Sequence, residues 1–294
     1  MLARLAAGLA VLALALVPLR ATSSSAEAAD PSVFSGLGTW VSIFGTTAYS
    51  QPEAVAAQIA GRGIKTAYLE TANYTQRVDI VRPEQLGRLV DALHARGVRV
   101  VAWYLPGFVK PAVDERRSLA AIRFRTPTGG AFDGFALDIE STAVRRPGLR
   151  TQRVLTLSRT LRSAAGLGYP LGAIIPSPRG IELKPTYWPG FPFAQLAEIY
   201  DTFLPMVYWT YHVNGPDGAY GYLARALAIL RDTTDNTDVS IHLVGGTSYR
   251  ATLDEQRSFA QLVVDDGRLT GWSLYDWFGT KPAVFQLLTP ISRG

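Results

Sequence analysis

The residues best placed to do chemistry are Asp138 and Glu140, at the end of the stretch FDGFALDIE, residues 132–140. Read as a strand, it alternates with period 2. Phe135, Leu137 and Ile139 fall on one face, and Gly134, Ala136, Asp138 and Glu140 on the other. Two acids spaced this way have Cα atoms about 6.5–7 Å apart along one face. Holding both at the end of a buried strand is costly unless one keeps its proton or both accept hydrogen bonds. Such a pair yields a carboxylic acid able to donate a proton near neutral pH, which is what a general acid requires. The plainer alternative is an acid pair that only caps the following turn.

A recurring strand-then-helix unit must position these groups. Strands are predicted at 38–45, 63–70, 98–105, 132–140, 169–175, 202–209, 239–245 and 271–277. Helices are predicted at 52–60, 83–96, 115–124, 151–165, 193–200, 220–231, 253–264 and 281–288. The 83–96 segment carries Leu86, Leu89, Val90 and Leu93 at amphipathic spacing and stops at Gly97, a residue that suits a helix C-terminus. Pro170 and Pro205 interrupt strands and predict a strand start and a bulge. Eight such units match the size and alternation of a single (β/α)8 TIM barrel over residues 29–294. An open doubly wound sheet would carry a glycine-rich phosphate loop after its first strand; Gly45, Thr46, Thr47 and Ala48 stand there instead.

In a barrel, the site lies at the carboxyl ends of the strands. Those ends hold Glu70, Trp103, Tyr104, Asp138, Glu140, Tyr208, Trp209, Tyr275, Asp276 and Trp277, with Tyr211 and His212 just beyond the sixth strand. The loop after the fifth strand adds Tyr187, Trp188, Phe191 and Phe193. An aromatic cleft with a few acids and no cluster of cations suits a neutral, hydroxylated ligand such as a sugar. Among the histidines, His94 is expected to be exposed and His242 to be a satisfied core group. Three scattered histidines with no Cys and no H-E-x-x-H spacing argue against a transition-metal site. No cofactor is expected, and the absence of a G-x-S-x-G turn disfavours the usual esterase design.

Composition narrows the partners. A short basic start, an apolar run over 5–19 and the small-x-small pattern at Ala26, Glu27 and Ala28 read as a cleaved secretory signal, residues 1–28. The run is shorter than the roughly 20 residues of a membrane span, so no stable span is expected. Loss of that segment removes Arg4, Arg20 and Glu27 and lowers the net charge from +5 to +4. Basic residues are spread along the chain with no block of the kind that binds nucleic acid. The absence of Cys excludes disulfides, thiolate chemistry and a lipid-modified amino terminus. A secreted monomer is the expectation.

Residues 133–140 (DGFALDIE) resemble the strand-four signature D-G-x-D-x-D-x-E of family 18 glycoside hydrolases, the chitinases and endo-N-acetylglucosaminidases. Met206, Val207 and Tyr208 are similar to that family's M-x-Y, and 271–277 resembles its last strand. The resemblance implies Glu140 as general acid, Asp138 as the group that orients a nucleophilic N-acetyl group, and Tyr208 as its hydrogen-bonding partner. Glu70, Trp103, Tyr104, Met206, Trp209, His212, Tyr275, Asp276 and Trp277 complete the expected substrate-binding set. The departure is Ala136, where the family pattern has its middle Asp. The D-x-E end alone also resembles family 25 lysozymes, but Trp40, Val41 and Ser42 stand where their first-strand Asp would be. Without N-acetyl assistance, a second carboxylate must face Glu140, and Glu70 and Asp276 are the candidates. The expected function is a secreted glycosidase acting on a polysaccharide or cell-wall glycan. The alternatives are a non-catalytic carbohydrate-binding barrel of the cell envelope and a purely structural barrel.

Overall fold

The computed structural model describes residues 29–236 and 239–291. The expected export signal, residues 1–28, lies outside them. From a short 3-10 turn at Pro31–Phe34 the chain runs through β1 (Gly36–Val41), α1 (Thr46–Ser50), α2 (Pro52–Gly61), β2 (Thr66–Asn73), α3 (Pro83–His94) and β3 (Arg99–Leu105). It continues through α4 (Pro111–Ile122), β4 (Gly134–Asp138), α5 (Pro147–Ala165), β5 (Leu171–Pro176), α6 (Pro178–Leu183) and α7 (Phe193–Ala197). The last part holds β6 (Thr202–Val207), α8 (Pro216–Thr234), β7 (His242–Gly245), α9 (Leu253–Asp266), β8 (Gly271–Leu274) and α10 (Pro282–Leu288). All eight strands are parallel and close in sequence order, β1 pairing with β8, into a (β/α)8 barrel.

Local chemistry explains why the helices begin where they do. Proline opens α2, α3, α4, α5, α6, α8 and α10, at the position where its missing N–H has no intrahelical partner to lose. Helix α9 starts instead with a capping box: the Thr252 side chain accepts the Glu255 N–H, and the Glu255 carboxylate accepts the Thr252 N–H. The helices α1 and α6 were not expected from periodicity; five and six residues are too short to show one.

Strand register sorts the interior into layers. In a barrel whose strands tilt, side chains from alternate strands meet at one height after a stagger of about one residue per strand. Applied to the observed pairings, this stacks Tyr68, Ala136, Leu204 and Ser273 below Trp40, Trp103, Ile174 and Val244. Above them, at the carboxyl ends, come Glu70, Asp138, Met206 and Tyr275. Phe135, Leu137 and Ile139 point the other way and pack with the helices in the outer core. At the opposite end the Pro31–Phe34 turn stoppers the barrel. Phe34 is fully buried there, and a Cβ on Gly172 would come within 2.9 Å of its ring.

Two strand expectations are corrected. Pro205 makes no bulge; it sits in β6 opposite Ile175, in regular register with β5. Its missing donor falls instead on the β7 side, where the ladder lapses between the Phe203–Ile241 bridge and the Met206–Val244 pair. The bulge lies in β2 between Glu70 and Ala72, and it carries that strand past its expected end to Asn73.

Candidate functional site

At the mouth, a cavity of about 340 Å³ is lined by Glu70, Asn73, Trp103, Asp138, Glu140, Met206, Tyr208 and Tyr275 among others. No Lys, Arg or His is among the described residues that line it. Glu140 also lines two adjoining hollows. One, of about 250 Å³, includes Ser177, Lys184, Tyr187 and His212; the other, of about 420 Å³ and opening over Ser141 and Thr142, also includes Tyr187. Glu140 therefore stands where three hollows meet, two residues past the end of β4. Its backbone carbonyl accepts the Tyr187 hydroxyl at 2.6 Å, which ties this turn to the loop after α6.

The three acids of the cavity have different surroundings. Asp138 is 5% exposed, and its Oδ1 has no hydrogen-bond partner among the described residues. Burial, and then the charges of Glu140 and Glu70, push its carboxyl well above the usual range. Burial likewise raises the half-buried Glu140. Glu70 is held on both oxygens: Oε2 accepts the Ile43 N–H at 3.0 Å and Oε1 the Asn73 side-chain amide at 3.1 Å. Burial still pushes it up to about 7, while those two donors pull the other way. Burial favours the protonated form of all three, and only Glu70 has donors that favour the ionised form, an inequality that paired acid and base work uses.

Tyrosines wall one side. Tyr208 follows β6 and Tyr275 follows β8, their rings 6.2 Å apart between centroids. Burial raises both phenols. The floor is the Trp40 and Trp103 pair, whose rings meet edge to face at 6.0 Å; the Trp103 Nε1 has no partner among the described residues.

The structure separates the remaining expected residues. Met206 and Trp103 line the cavity, whereas Tyr104 faces outward, as strand alternation demands of the residue after Trp103. Its hydroxyl donates to Asp114 Oδ1 at 2.7 Å, and it contributes to the outer core. Trp209 is fully buried and stacked on Phe259 at 5.8 Å, because the chain turns into a 3-10 helix as β6 ends. Trp277 packs against Phe285 with the Arg62 guanidinium 4.3 Å over its ring, and so belongs to the outer wall. Asp276 organises its own turn: Oδ1 accepts the Gly279 N–H at 2.7 Å and the backbone carbonyl accepts the Thr280 hydroxyl. It does not line the cavity, so only Glu70 of the two candidate second carboxylates shares a space with Glu140. His212 lies in the neighbouring hollow, stacked on Tyr222 at 5.1 Å, and burial lowers its pKa. Trp188, Phe191 and Phe193 pack together in the outer core rather than at the rim. His94, expected to be exposed, is half-buried against Asp133 at 2.9 Å.

Sequence reasoning missed Trp40, Asn73, Thr247 and Tyr249 as lining residues. Trp40 had a signal, since it alternates inward with Gly38. Asn73 had none, because it reaches the cavity only through the β2 bulge. Among the described residues, no group of His, Cys, Asp and Glu is arranged to hold a metal ion, and no helix is long and apolar enough to cross a membrane.

No family model matches this chain, and no curated protein matches it. Solved structures do. The endo-β-1,4-mannanase from Thermotoga petrophila aligns with a TM-score of 0.63 at 12% identity, over 83% of this chain and 68% of that one. The spore cortex-lytic enzyme SleL from Bacillus cereus gives 0.63 at 9% identity, over 86% and 73%. The chitinase from Chromobacterium violaceum gives 0.59 at 12% identity, over 88% and 100%. Identities this low carry the fold alone: the chain has the eight-stranded barrel fold seen in these enzymes.

Proposed function

We propose that this protein is a secreted, monomeric glycoside hydrolase that cleaves glycosidic bonds of a polysaccharide or cell-wall glycan. Glu140 serves as general acid/base and Asp138 assists. The observation that supports this reading is the place of Glu140: a carboxyl held toward its protonated form by burial, at the junction of three hollows. A glycan laid across the mouth has its scissile oxygen at that junction. Glu140 donates its proton there as the bond breaks and recovers one from water afterwards. Asp138, beneath it with one oxygen unpartnered, accepts a hydrogen bond from the sugar in the central cavity, and Tyr208 contributes its hydroxyl. Trp103, Met206 and Tyr275 supply apolar surface to the ring, and His212 acts on the neighbouring side.

The test is product analysis on a panel of chitin, chitosan, mannan and peptidoglycan, with wild type and Glu140→Gln. Hydrolysis of at least one polymer is expected, with the variant slowed about 10²–10⁴-fold and equally stable. A variant as fast as wild type overturns the assignment. A second reading, a non-catalytic glycan-binding barrel, draws on Ala136 standing where the similar family has an acid. Binding to the panel without turnover would favour it. Detection of the chain in the culture medium with its first 28 residues removed tests export.

A further inference from the structure

We propose that Glu70 is the second catalytic carboxylate of this cavity: it takes a proton from the water that attacks the anomeric carbon. Cleavage then inverts that centre and needs no 2-acetamido group on the sugar. This rests on the glycosidase reading above and adds to it the nucleophile, the stereochemistry and the substrate class.

Three observations carry it. The first is position. Register places Glu70 in the uppermost ring of side chains with Asp138, Met206 and Tyr275, and all four line the cavity with Glu140. The second is hydrogen bonding. Both Glu70 oxygens accept from donors, Ile43 N–H and Asn73 Nδ2, which favour the ionised form. Asp138 Oδ1 has no donor, which favours the protonated form. Of the three acids, Glu70 is the one supplied with donors for negative charge. Its elevated pKa, about 7, also suits a base working near neutrality.

The third is what surrounds Asp138. An acetamido group acting as internal nucleophile needs a charged neighbour to orient its N–H and to balance the positive charge it acquires. Ala136 removes the acid that would sit below on the same strand, and the ring of side chains directly beneath is Trp40, Trp103, Ile174 and Val244. Asp138 is poorly equipped for that task. A carboxylate that takes a proton from water, instead of attacking the anomeric carbon itself, inverts that centre, and this separates the role from a covalent one. The cavity, about 340 Å³, also has room for a water, whose share of liquid volume is about 30 Å³, beside a sugar ring.

The step balances. Water oxygen bonds to the anomeric carbon as the glycosidic C–O bond breaks, its electron pair leaving with the departing oxygen. Glu140 gives that oxygen a proton, Glu70 accepts one from the water, and exchange with solvent restores both.

The experiment uses the mature chain on the panel polymer it cleaves. It compares wild type, Glu70→Gln, Glu70→Ala and Glu140→Gln, with melting temperatures measured in parallel. Expected results are an inverted anomer in the first NMR spectrum after mixing and no inhibition by the thiazoline derived from N-acetylglucosamine. Glu70→Gln should lose at least 100-fold in kcat with KM little changed, and lose the acidic limb of the pH profile near 7. Azide should restore turnover to Glu70→Ala and yield a glycosyl azide of inverted configuration. A retained anomer, inhibition by the thiazoline, or full activity in Glu70→Gln while Glu140→Gln is dead overturns this inference and leaves the glycosidase reading standing. An active Glu140→Gln, or a wild type that cleaves nothing, overturns the reading itself and the inference with it.

Discussion

Two polar clusters lie inside the same barrel, and they are built oppositely. Beneath the cavity floor, Trp40 Nε1 donates to Ser273 Oγ at 2.8 Å and Ser273 lies 2.9 Å from His242 Nε2. The Nδ1 of His242 sits 2.7 Å from the Phe34 carbonyl. A neutral imidazole with its proton on Nδ1 donates to the Phe34 carbonyl and leaves Nε2 to accept from Ser273, with the Tyr68 hydroxyl 3.1 Å from Nδ1, and burial drives the His242 pKa down to about 4. At the mouth, Asp138 Oδ1 and Trp103 Nε1 have no partner among the described residues, and three acids share one cavity without a cation. Satisfied buried polar groups make a rigid scaffold. Unsatisfied ones next to a cavity are a cost that a ligand can relieve. The contrast is the physical reason to place function at one end and stability at the other.

The contrast breaks most visibly if variants at the two ends fail to separate activity from stability. Asp138→Asn should slow hydrolysis about 10²–10³-fold at saturating substrate while the melting temperature holds or rises, since an ill-satisfied buried acid is removed. Ser273→Ala should do the reverse: it strands His242 Nε2 and Trp40 Nε1 and lowers stability by about 2–3 kcal/mol in urea denaturation, with turnover per folded molecule intact. Loss of activity in Ser273→Ala beyond its unfolded fraction would join the two clusters into one site.

Opposite pH slopes sharpen the comparison. The Glu70 carboxyl is raised on folding from 4.5 to about 7, so the folded state binds the extra proton and stability falls as pH rises through that window. The imidazole of His242 is lowered from 6.5 to about 4, so stability falls as pH drops from 6.5 toward 4. Each swing is about 3 kcal/mol. The two windows overlap, so the slopes largely cancel between pH 4.5 and 6.5; Glu70→Gln should uncover the rise in stability from pH 4 to 6.5 and His242→Asn the fall from 4.5 to 7, to which the raised Asp138 and Glu140 also contribute. The alkaline slope surviving in Glu70→Gln would mean another acid carries it.

Smaller effects test the tyrosine wall of the cavity and the turn after β8. Tyr208→Phe should cost about 10-fold in kcat/KM, one hydrogen bond to the substrate. Asp276→Ala should cost about 1 kcal/mol of stability from its lost turn bonds and change turnover less than two-fold. A large activity loss in Asp276→Ala would restore it as a site carboxylate.

Much of the fold was legible in the chain because its signals are local. Period-2 alternation placed Phe135, Leu137 and Ile139 outward and Ala136 and Asp138 inward, whereas α5 and α8 begin at Pro147 and Pro216, each four residues before the start expected from periodicity. The site was legible on the strands and one or two residues past them, as with Asp138, Glu140, Tyr208 and Tyr275. Beyond the strand ends parity fails: Trp209 and Trp277 look like rim residues in the sequence but turn back into the outer core. The bulge after Glu70, which brings Asn73 to the cavity, has no sequence signature.

By itself, then, the sequence determined the alternating strand and helix pattern, the inward face of β4 and the acid pair at 138 and 140. Those follow from backbone geometry and apolar spacing within about ten residues. Tertiary structure alone decided that Glu70 joins the pair, that Asp276 does not, and that Trp40 rather than Trp209 makes the floor. Each depends on the closure and tilt of the barrel, which bring residues far apart in the chain to one height.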